Sequence, residues 1–372
     1  MDHPFNGAEL RLARLFNGLH LEDVAERVGK TRQYLHKLET GQASPTETLL
    51  LDLANVLSVE PAFLSGEQAR AIVDEQIHFR KLFTTKAMVK QEAMARVELF
   101  GRLVRFLDKE LKLPRVQIPT VPDAQSPEDV ERAAEICRHE WGVGLGPIAN
   151  MSRLAENVGA VVTSFQSVSK EIDAMSVSLE RPIIVRNESK QSACRQRFDI
   201  AHELGHFVLH MGRITGDRAT ESEANRFASA LLVPRTMMAK LFPRPRGSRL
   251  DWGGLREFKL FWKTSKAALL YRARQLALIS DDQYKTGIIT LKRTGEALAE
   301  REDGEIPIET PELLGRSFLV LAERKKVFFE DVASALRVKQ NFLVTLVGSS
   351  VDRSALPKTA SIRKPPDLRL VG

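Results

Sequence analysis

Cysteine is scarce in this 372-residue sequence, which contains only Cys137 and Cys194. Two cysteines exclude a disulfide framework and a cysteine-based zinc finger, and they fit a reducing cytoplasm. The sequence also lacks any run of about 18 apolar residues, which excludes a membrane-spanning helix. Its charged N-terminus has no apolar segment of the kind that a secretory signal needs. We therefore expect a cytoplasmic protein that does not enter a membrane.

Positive charge, which favours nucleic-acid binding, is scarce in the N-terminal part of the chain. The net charge is +7, but the first 66 residues carry nine acidic against six basic residues, and the basic excess lies mainly in the last third. A hydrophobic fraction of 43% and a charged fraction of 28% are ordinary for a folded protein. DNA binding by this protein would therefore depend on particular side chains and not on bulk charge.

The order of helical and strand-like patterns predicts a mostly helical α+β protein in four parts. Residues 1–66 predict five short helices in the layout of a helix-turn-helix bundle, and residues 67–125 predict a helical linker. Residues 126–246 carry helices around a small group of strands, and residues 247–372 predict a helical domain with a tail. The helical stretch at 67–112 suits either a dimer contact or a solvated linker helix.

The C-terminal part contains a weak internal repeat. Residues 329–346 align with residues 21–38 at six of eighteen positions, although Gly29 of the first copy is replaced by Arg337. We interpret the second copy as another pair of helices of the helix-turn-helix kind.

The strongest chemical pattern is His202-Glu203-Leu204-Gly205-His206. Two histidines four residues apart on a helix lie on one face, so both can bind one metal ion. Glu203 lies beside them, where it can act as the general base on a metal-bound water. The alternative interpretation is a helix with two buried histidines that serve packing alone.

A catalytic zinc needs a third protein ligand. The metzincin pattern requires glycine and histidine where this chain has Leu209 and Gly212, so that pattern is excluded. His210 lies one helical turn beyond His206 and is a further candidate. We interpret it as a supporting residue, because one straight helix rarely wraps three ligands around an ion.

The next helical stretch, TESEANRFASALLVP, supplies a better third ligand. Its apolar face runs through Ala224 and Ala228, and Glu221 lies on that face, three and seven residues before them. Burial of this carboxylate without a metal would cost free energy. Glu223 points away from that face and remains the alternative ligand. Asn225, one turn after Glu221, is placed to hydrogen-bond a metal ligand from outside.

The stretch from PIIVRN through RFDIAHELGHFVLH to ESEANRFASALLVP resembles the ImmA/IrrE family of metallopeptidases. The resemblance implies a zincin-like domain in which His202, His206 and Glu221 hold Zn²⁺ and Glu203 is the catalytic base. It also implies that the strand near PIIVRN is a sheet edge for an extended peptide. Proteases of this family cleave a partner repressor, whereas other members act as regulators or antitoxin-like proteins.

Residues 7–64 resemble the phage-repressor or Cro-like (XRE) helix-turn-helix family, whose third helix reads the major groove of double-stranded operator DNA. Such domains bind paired half-sites, which implies a homodimer. The alternative is a helical bundle that binds protein and no longer reads DNA. The resemblance assigns base contacts to Arg32, Gln33 and Lys37, and groove or phosphate contacts to Thr31 and Tyr34.

Together these features predict a DNA-binding transcription regulator with a zinc metallo-endopeptidase domain that hydrolyses a peptide bond in a repressor-like partner. One alternative is a repressor or antitoxin-like regulator whose zincin domain is a sensor or interaction module without turnover. Another is a protease whose helix-turn-helix only recruits its substrate. Mn²⁺ or Fe²⁺ would also suit a site of two histidines and one glutamate. Tyr271, His210 and several arginines are candidates for an oxyanion donor.

Overall fold

The structure is a computed structural model, and it describes residues 4–65, 76–79, 87–122, 124, 126–165, 174–187, 192–247, 249–352, 354 and 356. The predicted C-terminal tail lies outside these residues. The N-terminal and central helices are α1 (Gly7–Phe16), α2 (Leu21–Arg27), α3 (Arg32–Glu39), α4 (Glu47–Leu57), α5 (Ala87–Glu110), α6 (Pro127–Glu140), α7 (Met151–Asn157), α8 (Ala193–Leu209), α9 (Arg218–Leu232) and α10 (Arg235–Leu241). The later helices are α11 (Trp252–Trp262), α12 (Lys266–Gln275), α13 (Asp281–Arg293), α14 (Leu313–Val320), α15 (Phe329–Ala335) and α16 (Gln340–Val347). The strands are β1 (Ile77–Phe79), β2 (Val161–Ser164), β3 (Ala174–Val177) and β4 (Ile183–Arg186).

Short polar side chains begin the N-terminal helices. Thr31 and Thr46 each accept a hydrogen bond from the backbone N–H three residues further on, which satisfies a donor that a helix start leaves without a partner. Gly29 turns the chain between α2 and α3 with a φ of 63°, a conformation that glycine adopts without strain. The predicted mostly helical fold is confirmed, but the fifth helix of this bundle is only a 3-10 turn at Pro61–Ser65.

One sheet, ordered β1-β3-β4-β2, crosses the molecule. Strands β2 and β4 are parallel, and the β3–β4 and β1–β3 pairs are antiparallel. Facing residues form rows across the sheet. Ile77, Val177, Ile183 and Val161 form one row, and His78, Ser176, Ile184 and Val162 form the next.

The two faces of the sheet contact different hydrophobic cores, because neighbouring rows point to opposite faces. The row of Ile77, Val177, Ile183 and Val161 joins the core that contains the N-terminal helices and α5. Ile184 and Val162 of the next row join the core built on α6 to α9. The sheet is therefore a wall that the helix-turn-helix side and the central helices share.

Helix α5 is part of the first core and not a solvated linker. Its Phe100 is fully buried and meets Phe165 edge to face at 5.9 Å. Arg102 of the same helix donates two hydrogen bonds of 2.7 Å to the carboxylate of Glu9 in α1. The helical prediction for 67–112 also misses strand β1, whose geometry depends on pairing with a distant strand.

The segment predicted as one C-terminal domain, 247–372, divides between the two cores. Trp262 of α11 and Leu269 of α12 pack in the core of the central helices. Phe318 of α14 and Phe342 of α16 pack with the N-terminal helices on the other side of the sheet. The predicted domain boundaries at residues 66, 125 and 246 stay a prediction. Each hydrophobic core contains residues from more than one of the predicted parts.

The predicted repeat has the same local structure in both copies. Arg337 has a φ of 58° where the first copy has Gly29 at 63°. Asp331 accepts a hydrogen bond from the backbone N–H of residue 328 at 2.7 Å, as Asp23 does from residue 20 at 2.6 Å. Both copies are therefore helix pairs joined by one kind of turn.

A buried ion network fixes the short 3-10 turn after α13 against α11 and α12. The fully buried Lys259 ammonium lies 2.8 Å from Glu300 and 2.6 Å from Asp303. The Lys266 ammonium lies 3.0 Å from Glu302. Burial lowers the pKa of Lys259, but the bonds to Asp303 and Glu300 outweigh burial and raise the pKa above its ordinary value, so this lysine stays charged.

Candidate metal centre and DNA-reading surface

Helix α8 presents His202 and His206 toward helix α9. The two Nε2 atoms lie 3.1 Å apart, as expected for histidines one helical turn apart on one face. The helices approach closely at Gly205, where a Cβ atom would come within 3.0 Å of the Phe227 ring. A larger residue at 205 would push α9 away from both histidines.

Helix α9 carries Glu221 to the same point. Its carboxylate oxygens lie 3.5 Å from His202 Nε2 and 3.5 Å from His206 Nε2. Burial raises the pKa of Glu221, but hydrogen bonds and charge interactions with the two histidines outweigh it and hold the pKa well below its usual range. Glu221 is therefore an anion at neutral pH, as a metal ligand must be.

The spacing of these three donor groups fits a zinc ion. Tetrahedral zinc with bonds of about 2.0–2.1 Å holds its ligand atoms roughly 3.3–3.4 Å apart. The observed separations among His202, His206 and Glu221 are 3.1, 3.5 and 3.5 Å. Two neutral nitrogen atoms and one carboxylate are also a donor set that zinc accepts.

The outer nitrogen atoms of both histidines have protein partners. His202 Nδ1 lies 3.1 Å from Asn225 Oδ1, and His206 Nδ1 lies 3.0 Å from His210 Nδ1. His210 Nε2 in turn lies 2.8 Å from Glu223 Oε2. These contacts fix the ring orientations so that both Nε2 atoms face Glu221. Glu223, the alternative ligand, therefore contacts His210 and not the three converging groups.

Glu203 is nearly completely buried beside the histidines, with 3% of its surface exposed. The hydroxyl of Ser176 on β3 donates a 2.5 Å hydrogen bond to Glu203 Oε2. Ser176 lies in the sheet row that faces α8, so the sheet itself orients this carboxylate. Ser176 is not recognisable from the sequence alone, because nothing local marks a serine in a short strand.

His78 of β1 is a second residue of the site that the sequence analysis misses. Its ring stacks on His206 with 5.1 Å between centroids and an interplanar angle of 4°. Its Nδ1 lies 3.0 Å from Thr215 Oγ1. Burial, followed by His206 and His210, lowers the pKa of His78 to about 3, so the ring is neutral at physiological pH. One weak signal was available, a histidine within the short apolar run IHF.

The position of β1 corrects the expectation about the sheet edge. The strand of PIIVRN, β4, is an inner strand between β2 and β3. On one side β4 pairs with β3, and β1 pairs with β3 in antiparallel fashion, so β1 is the outer strand. The expected edge along β4 is therefore wrong, because β2 and β3 already pair with both sides of that strand.

The candidates named for an oxyanion donor, Tyr271 and His210, have structural contacts. The Tyr271 ring packs against Tyr284 at 6.2 Å, and His210 is held between His206 and Glu223. Cys194 is buried, and burial raises the pKa of its thiol to about 12, so it is an unreactive thiol at neutral pH.

The residues predicted to read DNA lie on or beside α3. Thr31 is the N-cap of that helix, and the Tyr34 hydroxyl donates to the carbonyl of Ser44 at 3.3 Å. Arg32 forms an exposed ion pair with Glu22 at 2.7 Å, with 67% of its side chain exposed. Exposed positions on this surface are Thr31, Arg32, Gln33 and Lys37, whereas Tyr34 is half-buried.

Helix α3 is fixed from behind by a buried ion pair. The guanidinium of Arg14 donates to both carboxylate oxygens of Glu39 at 2.6 and 2.9 Å. Both side chains are more than nine-tenths buried. Glu39 is thus an internal anchor of α3 and not part of its exposed surface.

Two segments of the chain match known protein families. Residues 10–64 match the helix-turn-helix family, and residues 155–274 match the IrrE N-terminal-like domain, a peptidase family. The predicted fusion of these two domain types is therefore confirmed, and the second match extends beyond the predicted end at 246. No curated protein matches the chain.

One solved structure that matches this chain is Bacillus thuringiensis PlcR in complex with the peptide PapR7 and DNA. It is 12% identical, the match covers 91% of this chain and 93% of the PlcR chain, and the TM-score is 0.15. Among the described residues, no helix combines the length and apolar character needed to cross a membrane.

Proposed function

We propose that this protein is a DNA-binding transcription regulator whose IrrE-like domain is a zinc-dependent endopeptidase acting on a repressor-like partner protein. The proposal is carried by one observation, the convergence of His202 Nε2, His206 Nε2 and the Glu221 carboxylate at separations of 3.1 to 3.5 Å. A cytoplasmic location belongs to the same proposal, since the DNA of a regulated operon lies there.

In this mechanism His202, His206 and Glu221 hold the zinc ion. When bound, zinc lowers the pKa of a bound water toward about 7 and polarises the scissile carbonyl. Glu203 accepts the proton of the attacking water at its carboxylate and donates it to the leaving amine. The hydrogen bond from Ser176 orients Glu203 for both transfers. Asn225 is proposed to orient His202 through the outer nitrogen.

The substrate would bind as an extended segment along β3. Backbone groups at a sheet edge pair with an added strand, and this supplies affinity without requiring one sequence. In this structure β1 makes that pairing, with His78 against Ser176 in register. We therefore infer that a substrate must replace β1 at the edge before its peptide bond reaches the metal site.

The DNA contacts belong to the exposed surface of α3. Arg32 can donate two hydrogen bonds to guanine, and Gln33 can pair with adenine in the same bidentate manner. Lys37 lies further along the same helix, and Thr31 and Tyr34 lie at its start, near the position of a phosphate backbone. The exposure of Arg32, Gln33 and Lys37 supports this assignment.

A second candidate function is a DNA-binding regulator whose metal domain senses or binds a partner without turnover. The observation that favours it is β1, because this strand covers the edge that a substrate needs. Metal analysis of the native protein beside His202→Ala and Glu221→Ala tests the shared metal site. We expect about one zinc per chain, lost in both variants, and an absence of bound metal after zinc is supplied would refute both versions.

Cleavage then separates the two functions. The full chain, loaded with zinc, is incubated with repressor proteins from the same cell, with Glu203→Gln as the matched control. Fragments that form only with native Glu203 support the peptidase. Partner binding without fragments in either protein supports the sensor.

A further inference from the structure

A second internal alignment becomes visible where the C-terminal repeat contacts the N-terminal domain. Residues 50–64 and 329–343 align with an offset of 279 and share six of fifteen residues. In both copies a helix ends at a left-handed residue, Ser58 and Arg337, each with a φ of 58°. A valine that forms a β-bridge and then a second helical segment follow in both. The identical pairs are Asp52 and Asp331, Ala54 and Ala333, Leu57 and Leu336, Val59 and Val338, Phe63 and Phe342, and Leu64 and Leu343.

The two copies pair through backbone bonds that are equivalent under this offset. Glu60 N donates to Arg337 O at 2.9 Å, and Lys339 N donates to Ser58 O at 2.9 Å. Residue 60 corresponds to residue 339, and residue 58 corresponds to residue 337. The donor and the acceptor of one bond are therefore equivalent to the donor and the acceptor of the other. This reciprocity is the property of an isologous interface, in which each half uses the same surface.

Side chains around these backbone bonds also make contacts between equivalent positions of the two copies. Asn341 Nδ2 donates to Ser58 Oγ at 2.8 Å, and Arg337 Nη1 donates to Ala62 O at 3.0 Å. Residues 58 and 62 correspond to 337 and 341, so the same two positions meet in both halves, although the donating position is exchanged between them. Two independent pairs of contacts therefore follow the same approximate two-fold axis.

Equivalent residues meet each other at the axis itself. Val59 forms an antiparallel bridge with Val338, and both are at most 3% exposed. The rings of Phe63 and Phe342 lie 6.4 Å apart. A self-complementary surface brings equivalent residues together only at its axis. The axis therefore passes beside these two pairs, and the pairing edge is fully occupied within one chain.

The C-terminal copy carries the pairing element but not a DNA-reading helix. Helix α16, QNFLVTLV, contains no lysine or arginine, and its Phe342, Leu343, Leu346 and Val347 are buried. The interface is also stabilised asymmetrically by Phe16, whose ring stacks on Phe342 at 3.9 Å. One chain thus combines two pairing elements with a single α3.

We propose that the C-terminal repeat, Phe329–Val347, is an internal substitute for a second copy of this chain. It occupies the self-pairing edge of the helix-turn-helix domain, so two chains do not join through that edge. Each chain then presents one α3 to one half-site, in place of the paired half-sites that a homodimer would read. The half-site statement rests on the proposed DNA binding, whereas the internal pairing does not.

Cysteine pairs at the axis test the internal pairing in the full chain. The bonds on either side of Val59 and Val338 make them a non-hydrogen-bonded pair, for which a Cα separation of about 4.5 Å is expected. That separation is within the range of about 4.4–6.8 Å that a disulfide spans. We expect mild oxidation of Val59→Cys/Val338→Cys to form an intrachain disulfide, seen as a monomer that has lost two hydrogens by mass spectrometry and migrates faster on a non-reducing gel.

The single variants are matched controls. Val59→Cys alone should stay a monomer under the same oxidation, because the equivalent residue of another chain cannot reach it. A covalent dimer of Val59→Cys would overturn the proposal, since it would place two copies of this residue at a common axis. Interchain bonds in the double variant would overturn it as well.

The half-site statement is tested with DNA duplexes that the full native chain selects from a random pool. We expect selected sequences without two-fold symmetry, one chain per duplex in sedimentation, and equal affinity for the oxidised and reduced double variant. Palindromic sites with centres about ten base pairs apart, or a tenfold loss of affinity on oxidation, would overturn the half-site statement. Absence of DNA binding in every form would refute the proposed DNA function, while the cross-linking result would still decide the internal pairing.

Discussion

The contact between Asn225 and His202 allows a prediction that leaves all three proposed ligands intact. Asn225 Oδ1 lies 3.1 Å from His202 Nδ1, the nitrogen that faces away from Glu221. Replacing Asn225→Ala removes the acceptor that fixes the tautomer and orientation of this ring. Loss of such an outer partner typically weakens metal binding about 10- to 100-fold, which corresponds to roughly 1.4–2.7 kcal/mol.

Zinc affinity is measured by competition with a chromogenic chelator at constant pH. Asn225→Asp is the matched variant, since it keeps an acceptor at the same place and should retain most of the affinity. The exposed Asn341 is a control, because Asn341→Ala removes an amide far from the metal site. An affinity of Asn225→Ala within threefold of the native value would refute the reasoning that His202 needs this partner.

Four further outcomes follow. Glu203→Gln should lower peptide cleavage about 10²- to 10⁴-fold while zinc and DNA binding stay unchanged, measured by fragment yield and by titration. His78→Ala should raise cleavage several-fold by loosening β1 at the edge, and a decrease would instead make His78 part of the reacting machinery. Lys259→Met leaves the carboxylates of Glu300 and Asp303 buried without their cation, so the free energy of unfolding in urea should fall by about 3–5 kcal/mol. Arg32→Ala should weaken binding to a selected duplex by about 1–3 kcal/mol and relax one base preference, and a uniform loss on all sequences would reassign Arg32 to phosphate.

The convergence of the three proposed metal ligands could be predicted because its geometry is local. His202 and His206 are one helical turn apart, so helix periodicity alone brings their side chains together. Glu221 followed from the apolar face of its own helix, which decides which side is buried. The contact between the two helices adds only the final distance of 3.5 Å.

His78 and Ser176 could not be predicted, because their positions depend on strand pairing between distant parts of the chain. The β1–β3 register places them opposite each other, and a short strand carries little pattern of its own. The role of α5 was equally hidden, since an amphipathic pattern shows that a face is buried but not what covers it.

The C-terminal repeat shows that sequence similarity does not identify which segments are in contact. The turn at Arg337 resembles both the turn at Gly29 and the turn at Ser58, since all three residues have a φ between 58° and 63°. Sequence alignment identified the first likeness, whereas the contacts follow the second. Local similarity indicates a common kind of turn, but only packing shows which copy is the partner.

The internal pairing also sets an order in which the protein can be completed during synthesis. Phe342 packs on Phe16 and Phe63, so the N-terminal core lacks a main contributor until α16 has been made. At about 5–20 residues per second, the roughly 280 residues between these segments take on the order of 15–60 s to synthesise. During that interval Val59 and its neighbours form an uncovered self-pairing edge, and nascent chains on one messenger RNA are close to one another. Because the last helices cover this edge late, we expect pairing between unfinished chains to compete with correct folding.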